Sequence, residues 1–120
     1  MSLHHVALET ATADRDALVA FFGLLGFTEV PPPESLLGRT RWLQRDGRQI
    51  HLLFADGAGG TVIPPRGHVA IVEREYEAAL TRLRAAGFEP EERAAHWGAA
   101  RCFVTSPGGH RVEVMAAPPA

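Results

Sequence analysis

The chain contains the same pattern twice. Gly67-His68-Val69-Ala70-Ile71 repeats Leu3-His4-His5-Val6-Ala7-Leu8, and His68 follows His5 by 63 residues in a sequence of 120. Later landmarks keep nearly the same offset: Gly26-Phe27 falls on Gly87-Phe88 (61 residues), and Gln49-Ile50-His51-Leu52 falls on Arg111-Val112-Glu113-Val114 (62 residues). A repeat this long, present only twice, is not a solenoid. It is a duplicated unit that must pair with its copy, within the chain or across a dimer. Any fold assigned to one half must therefore also serve the other.

Each half reads β-α-β-β-β. From Ser2 to Glu9 the side chains alternate, so Leu3, His5, Ala7 and Glu9 share one strand face while His4, Val6 and Leu8 share the other. Val6 and Leu8 are expected under a helix. That helix is marked by Leu18, Phe21, Phe22 and Leu25 at i, i+3, i+4 and i+7. Thr12 or Asp14 is its expected cap, and Gly26 stands where a left-handed C-terminal cap belongs. Phe27–Val30 reads as a second strand, ended by Pro31-Pro32-Pro33. Residues 39–54 read as a hairpin on Asp46-Gly47, a dipeptide suited to a type I′ turn. Counting back from that turn sets Trp42 opposite His51, Cβ atoms about 5 Å apart.

The second half restarts with His68, Ala70 and Val72 on one strand face and Val69 and Ile71 on the other. Tyr76, Ala79, Leu80 and Leu83 mark its helix, Gly87 caps it, and Phe88 is expected to begin the next strand. Residues 100–105 and 110–115 form the last two strands, joined at Pro107-Gly108-Gly109. There Val112 and Val114 face one way; Arg111, Glu113 and Met115 face the other. The chain is thus read as one α+β domain: module one 1–56, a Gly/Pro-rich linker 57–66, module two 67–115 and a short tail 116–120.

Charge and cysteine usage narrow the function classes. The net charge is −2 with mixed signs, so no basic stripe points to nucleic acid. The apolar runs are too short to span a bilayer, and no basic segment leads into a long apolar one as in a signal peptide. Cys102 is the only cysteine. A reducing, cytoplasmic setting and no membrane partner are the expectations.

The duplication sets His5 with His68, and His51 with Glu113, at equivalent places. Each stands on a strand whose opposite face is apolar and needs a helix to cover it. The polar face must then line the inside of a curved sheet. One histidine on a strand is ordinarily a hydrogen-bonded, half-buried residue; it is the equivalence that makes these four candidate metal ligands. Imidazole suits Zn, Fe, Ni and Co, and a carboxylate adds an oxygen donor. His5, His68 and Glu113 alone would make a 2-His-1-carboxylate face with open positions. His51 can instead hydrogen-bond beside Trp42. Trp42, Phe103 and Met115 are candidate pocket walls, Arg111 a candidate anion-binding group, and Glu9 a candidate proton carrier. His96 and His110 read as solvated loop residues, and Cys102 as packed.

In these pieces the sequence resembles the vicinal oxygen chelate superfamily, which includes glyoxalase I, methylmalonyl-CoA epimerase, fosfomycin- and bleomycin-resistance proteins and extradiol dioxygenases. The resemblance runs from Leu3 to Met115. It is carried by His4-His5-Val6-Ala7-Leu8, Phe22 through Leu25-Gly26-Phe27, Gly67-His68-Val69-Ala70, and Ser106-Pro107-Gly108-Gly109-His110-Arg111-Val112-Glu113. It implies two tandem βαβββ modules forming a curved, partly open mixed-sheet barrel with helices outside. It implies one divalent ion (Fe, Mn, Ni, Co or Zn) on His5, His68, Glu113 and His51, chelated by neighbouring oxygens of a small substrate. Lyase, isomerase, thiol-transferase or dioxygenase chemistry would follow, with Glu113 handling protons; sequestration of a ligand without turnover is the alternative. Dimers are frequent in the superfamily, so a homodimer is expected. Two departures stand out: His51 replaces the glutamate typical of glyoxalase I, and Ala7 replaces the threonine usual in fosfomycin enzymes.

Overall fold

The structure is a computed structural model that describes residues 1–120. The chain divides into two compact units, Met1–Val62 and Ile63–Ala120. Each is a βαβββ module with one helix and one mixed four-stranded sheet. No helix is long and apolar enough to cross a membrane.

The first unit runs β1 (His5–Thr10), α1 (Arg15–Leu24), β2 (Thr28–Val30), β3 (Thr40–Arg45) and β4 (Arg48–Phe54), with sheet order β1-β4-β3-β2. β1 pairs parallel to β4, and the other pairs are antiparallel. A parallel pair cannot be closed by a hairpin, so the chain crosses over through α1, β2 and β3 before β4 returns beside β1. Leu18, Phe21, Phe22 and Leu25 are all at most 1% exposed, and they share the core with Leu43, Ile50 and Leu52. Burial of such side chains stabilises by about 1.5–3 kcal/mol each, which commits this sheet face to packing and leaves the other for polar residues. The hairpin turn has Asp46 at φ 50° and Gly47 at φ 75°, as a type I′ turn requires. Trp42 pairs with His51 and Arg45 with Arg48.

The helix entry differs from expectation. Neither Thr12 nor Asp14 caps α1 with its side chain; a 3-10 turn over Thr12–Asp14 leads in instead. The Thr12 hydroxyl donates to the Asp56 carboxylate, and the Thr12 N–H does so at 3.0 Å. Those two bonds hold the Asp56 carboxyl below its ordinary range. Residues after Asp56 fold back on the same unit, where the Thr61 hydroxyl donates to the Ala55 carbonyl (3.0 Å) and the Val62 N–H to Glu9 Oε1 (3.1 Å).

The second unit runs β5 (His68–Val72), α2 (Tyr76–Ala85), β6 (Glu91–Arg93), β7 (Arg101–Thr105) and β8 (Arg111–Met115), with order β5-β8-β7-β6. β5 is again parallel to the last strand. Tyr76, Ala79, Leu80 and Leu83 are buried, with Ile71, Cys102, Val104, Val112 and Val114. Phe88 does not begin a strand. Its N–H donates back to the Leu83 carbonyl at 3.0 Å, closing the helix end, and β6 starts only after Pro90. His110 is 5% exposed rather than solvated: its N–H donates to Ser106 Oγ and its carbonyl accepts from the Ser106 N–H, which locks the β7–β8 connection.

Two glycines test these assignments with one substitution of opposite sign. Gly23 is an exposed helical residue with nothing within 4 Å of an added Cβ, whereas Gly87 has equal space but φ +92°. Gly23→Ala should raise stability by about 0.5–1 kcal/mol through lost unfolded-state entropy. Gly87→Ala should lower it by about 1–2 kcal/mol through left-handed backbone strain. Urea unfolding of the two variants checks this; the same sign at both positions would overturn the cap assignment.

Candidate functional site

The strand registers place the candidate residues. In the first unit Ala7, His51 and Trp42 form one row across β1, β4 and β3; His5, Gln49 and Gln44 form the next. In the second unit Ala70, Glu113 and Phe103 form the matching row, followed by His68, Arg111 and Thr105. These rows lie on the sheet face opposite the core. In both copies an alanine stands beside the central residue, so the histidine two positions earlier can lean across it.

In the second unit that lean makes a polar triad. Glu113 is buried, with Oε1 3.1 Å from His68 Nε2 and Oε2 3.0 Å from Arg101 Nη1. His68 Nδ1 lies 3.0 Å from the Arg66 carbonyl, an acceptor, so Nδ1 carries the proton and donates. In the neutral ring Nε2 is then a bare lone pair facing a carboxylate oxygen. That contact repels unless a proton or another cation lies between them. A histidine oriented by a backbone carbonyl, with its other nitrogen toward a carboxylate, is the donor arrangement a divalent ion accepts. His68 and Glu113 therefore fit a metal by their chemistry. Phe103 walls the pair, its ring edge-on to His68 with centroids 5.0 Å apart.

In the first unit the same rows produce a stack. The His51 ring lies parallel to Trp42 (centroids 3.9 Å, 1° between planes) and nearly parallel to His5 (4.0 Å, 15°). His51 Nε2 donates to Gln49 Oε1 at 2.7 Å, and Gln49 Nε2 donates to Gln44 Oε1 at 2.9 Å. Imidazole lone pairs lie in the ring plane, so stacked rings point theirs side by side. His51 Nε2 is engaged, which leaves Nδ1 as its available nitrogen. His5 Nδ1 sits 3.0 Å from His4 Nδ1, on an exposed edge. Burial first, then the neighbouring His5 and His4 charges, holds the His51 imidazole below its ordinary value of 6.5.

The remaining candidates are placed as follows. Glu9 Oε1 accepts from the Val62 N–H. Met115 is 6% exposed and pairs with Arg101 across β7. The Arg111 guanidinium carbon lies 3.8 Å from the Phe103 centroid. Cys102 is fully buried and its thiol is pushed up by burial, so it is packed. His96 is exposed. Nowhere do three or more His, Cys, Asp or Glu side chains gather as a ready cation cage. A cavity of about 510 Å³ in the first unit lies against Arg15, Glu29, Pro32, Leu37, Arg41 and Phe54. Its Arg41 is already paired with Glu29 and Asp16.

Sequence reasoning missed two partners, Arg101 for Glu113 and Gln49 for His51. Both had a signal. Gln49 is two residues from His51 on one strand face, and Arg101 shares its face with Phe103, the cross-strand neighbour of Glu113.

Two measurements probe these contacts. The Arg101 and Glu113 side chains are only 11% and 7% exposed. Arg101→Met leaves a buried carboxylate short of its cation and should cost about 3 kcal/mol, the low end for such a loss because His68 still faces the other oxygen. Denaturant titration at neutral pH reads it; an unchanged midpoint would refute the pairing. For His51, a folded-state value below the unfolded one means the unfolded chain binds more protons. Stability present above about pH 6.5 is then lost as pH falls through the folded-state value. His51→Phe keeps a stacked ring and removes the titration, so its stability should fall less steeply from about pH 7 to about pH 5 than that of the parent. Identical slopes would count against a buried neutral His51.

The fold matches known structures over nearly its whole length. A Bacillus anthracis protein assigned to the glyoxalase family superposes with TM-score 0.84 at 25% identity, covering 96% of this chain and 93% of that one. The oxidase ChaP-H2 gives 0.77 at 18% identity, covering 100% and 96%. The lactoylglutathione lyase of Agrobacterium tumefaciens gives 0.71 at 21% identity, covering 95% and 92%. At those lower identities the last two show a shared fold. Comparison with curated protein sequences finds no match. The profile of the Glyoxalase/Bleomycin resistance protein/Dioxygenase superfamily matches residues 2–114. With the two βαβββ modules accounted for and the match spanning both, the chain belongs to that superfamily.

Proposed function

We propose that this protein is a divalent-metal-dependent enzyme of the glyoxalase/dioxygenase type, acting on a small oxygen-rich substrate. The observation that carries this reading is the His68–Glu113 pair. Nδ1–H is committed to the Arg66 carbonyl, which turns Nε2 toward Glu113 Oε1 at 3.1 Å. His68 and Glu113 would hold the ion, with His5 and His51 as the equivalent residues of the first module. A bound divalent ion supplies Lewis-acid stabilisation of negative charge developing on substrate oxygens. Arg101 takes Glu113 Oε2, which fixes the carboxylate plane and leaves Oε1 for the reacting side. Glu113 Oε1 is the proton acceptor this reading favours; Glu9, whose Oε1 holds the Val62 N–H, is the secondary candidate. Phe103 and Met115 exclude water beside the carboxylate. The buried single cysteine fits a reducing cytoplasm, and a homodimer is the assembly proposed from the superfamily.

The flat Trp42–His51–His5 stack favours a second reading, non-catalytic capture of a planar ligand of the bleomycin-resistance kind. One experiment separates the two. Tag-free protein is incubated in turn with Fe, Mn, Ni, Co and Zn under reducing conditions, desalted and assayed for metal by elemental analysis. The enzyme reading expects near-stoichiometric metal in the parent, and loss of that metal in His68→Ala or Glu113→Gln. A parent that retains no metal would sink it and leave the capture reading.

A further inference from the structure

The two copies also differ at the position next to the candidate ligands. In the first unit, Gln49 stands between His5 and Gln44 in its row; its amide oxygen accepts from His51 and its amide nitrogen donates to Gln44. In the second unit, Arg111 occupies that place between His68 and Thr105. Its guanidinium has no carboxylate or carbonyl partner. It rests on the face of Phe103 at 3.8 Å, half-buried, and Phe103 is the cross-strand neighbour of Glu113. Its tip is therefore drawn back along the strand to the level of the carboxylate that faces His68.

The charge balance around this ring is incomplete. Three guanidinium groups surround Phe103: Arg93, Arg101 and Arg111. Arg93 is paired with Glu91 and Arg101 with Glu113. Three cations against two carboxylates leave one positive charge, on Arg111. The other arginines without such partners, Arg39, Arg66, Arg74 and Arg84, are exposed to water. A guanidinium carries its donors in its own plane, so one stacked on an aromatic face keeps a fork of N–H groups at its rim. That fork matches the two oxygens of a carboxylate.

We propose that Arg111, held over Phe103 beside Glu113, anchors a carboxylate group of the substrate. This deepens the metal-dependent reading above and rests on it for the word substrate. The two together make the substrate a small carboxylic acid whose reacting oxygens lie within a side-chain length of its carboxylate.

The test uses the full chain stripped with EDTA, so that no probe can ligate a metal. Benzoate and its neutral isostere benzamide are titrated while NMR follows the Arg111 Nε–Hε signal, assigned by its absence in Arg111→Lys. The expected result is a saturable shift with benzoate and none with benzamide at the same concentrations. Arg111→Gln should weaken benzoate binding by about tenfold or more, read on the Phe103 and Glu113 amides. Arg111→Lys, which keeps the charge and loses the fork, should fall between the two and serves if the glutamine variant does not fold. Equal responses to benzoate and benzamide, or undiminished benzoate binding in either variant, would overturn the subsite. Metal content separates the two readings. Loss of the benzoate preference with metal uptake intact removes only the subsite, and absence of metal uptake with the preference intact removes only the metalloenzyme.

Discussion

Everything in each unit hangs on the parallel pairing of its first strand with its last. In the first unit β1 pairs with β4, and in the second β5 pairs with β8. The pairing forces the crossover, the crossover carries the helix, and the helix seals one face of the sheet. The same pairing fixes the register of the open face, where Ala7 meets His51 and Ala70 meets Glu113. A slip of one residue would turn His68 and Glu113 toward the core and send Val69 and Val112 to water, so the buried face enforces the geometry of the open one.

Because the core face does that work, the open faces of the two copies were free to diverge. The aromatic row position is Trp42 in one and Phe103 in the other; the central residue is His51 or Glu113. In the first unit these choices give a stacked surface in which Gln49 bonds both His51 and Gln44. In the second they give a charged one, with a carboxylate shared between an imidazole and a guanidinium. A planar ring packed between two others needs no counter-ion; a buried carboxylate needs one, and Arg101 supplies it.

Much of this was legible before the structure. The repeat, the helix faces at Leu18–Leu25 and Tyr76–Leu83, and the Trp42–His51 pairing all follow from local periodicity and one turn dipeptide. They are local rules, and local rules survive folding. What was not legible depends on contacts between distant segments. Asp56 reaches Thr12 across 44 residues and takes over the helix entry, which no cap rule anticipates. Phe27 and Phe88 both looked like strand starts, but each N–H returns to its helix end, at Phe22 and Leu83, and Pro90 delays β6 further. His110 looked like a loop residue, yet the tight return at Ser106 draws it inside. The four candidate ligands were found by their equivalence, and Trp42 beside His51 by the turn; the partners Gln49, Arg66 and Arg101 were not.

The Arg101–Glu113 pair explains a tension in the second unit. A carboxylate expected to serve a metal or a proton weakens as a donor when a guanidinium shares its charge. Burial makes the opposite demand, since a carboxylate taken out of water needs a cation or hydrogen-bond donor beside it. Splitting the two oxygens meets both demands. Oε2 is given to Arg101, which balances the charge and fixes the carboxylate plane, and Oε1 is kept facing His68. Buried ion pairs seldom add net stability over apolar packing. The one here is better understood as orientation: it holds one oxygen so that the other stays where the imidazole points.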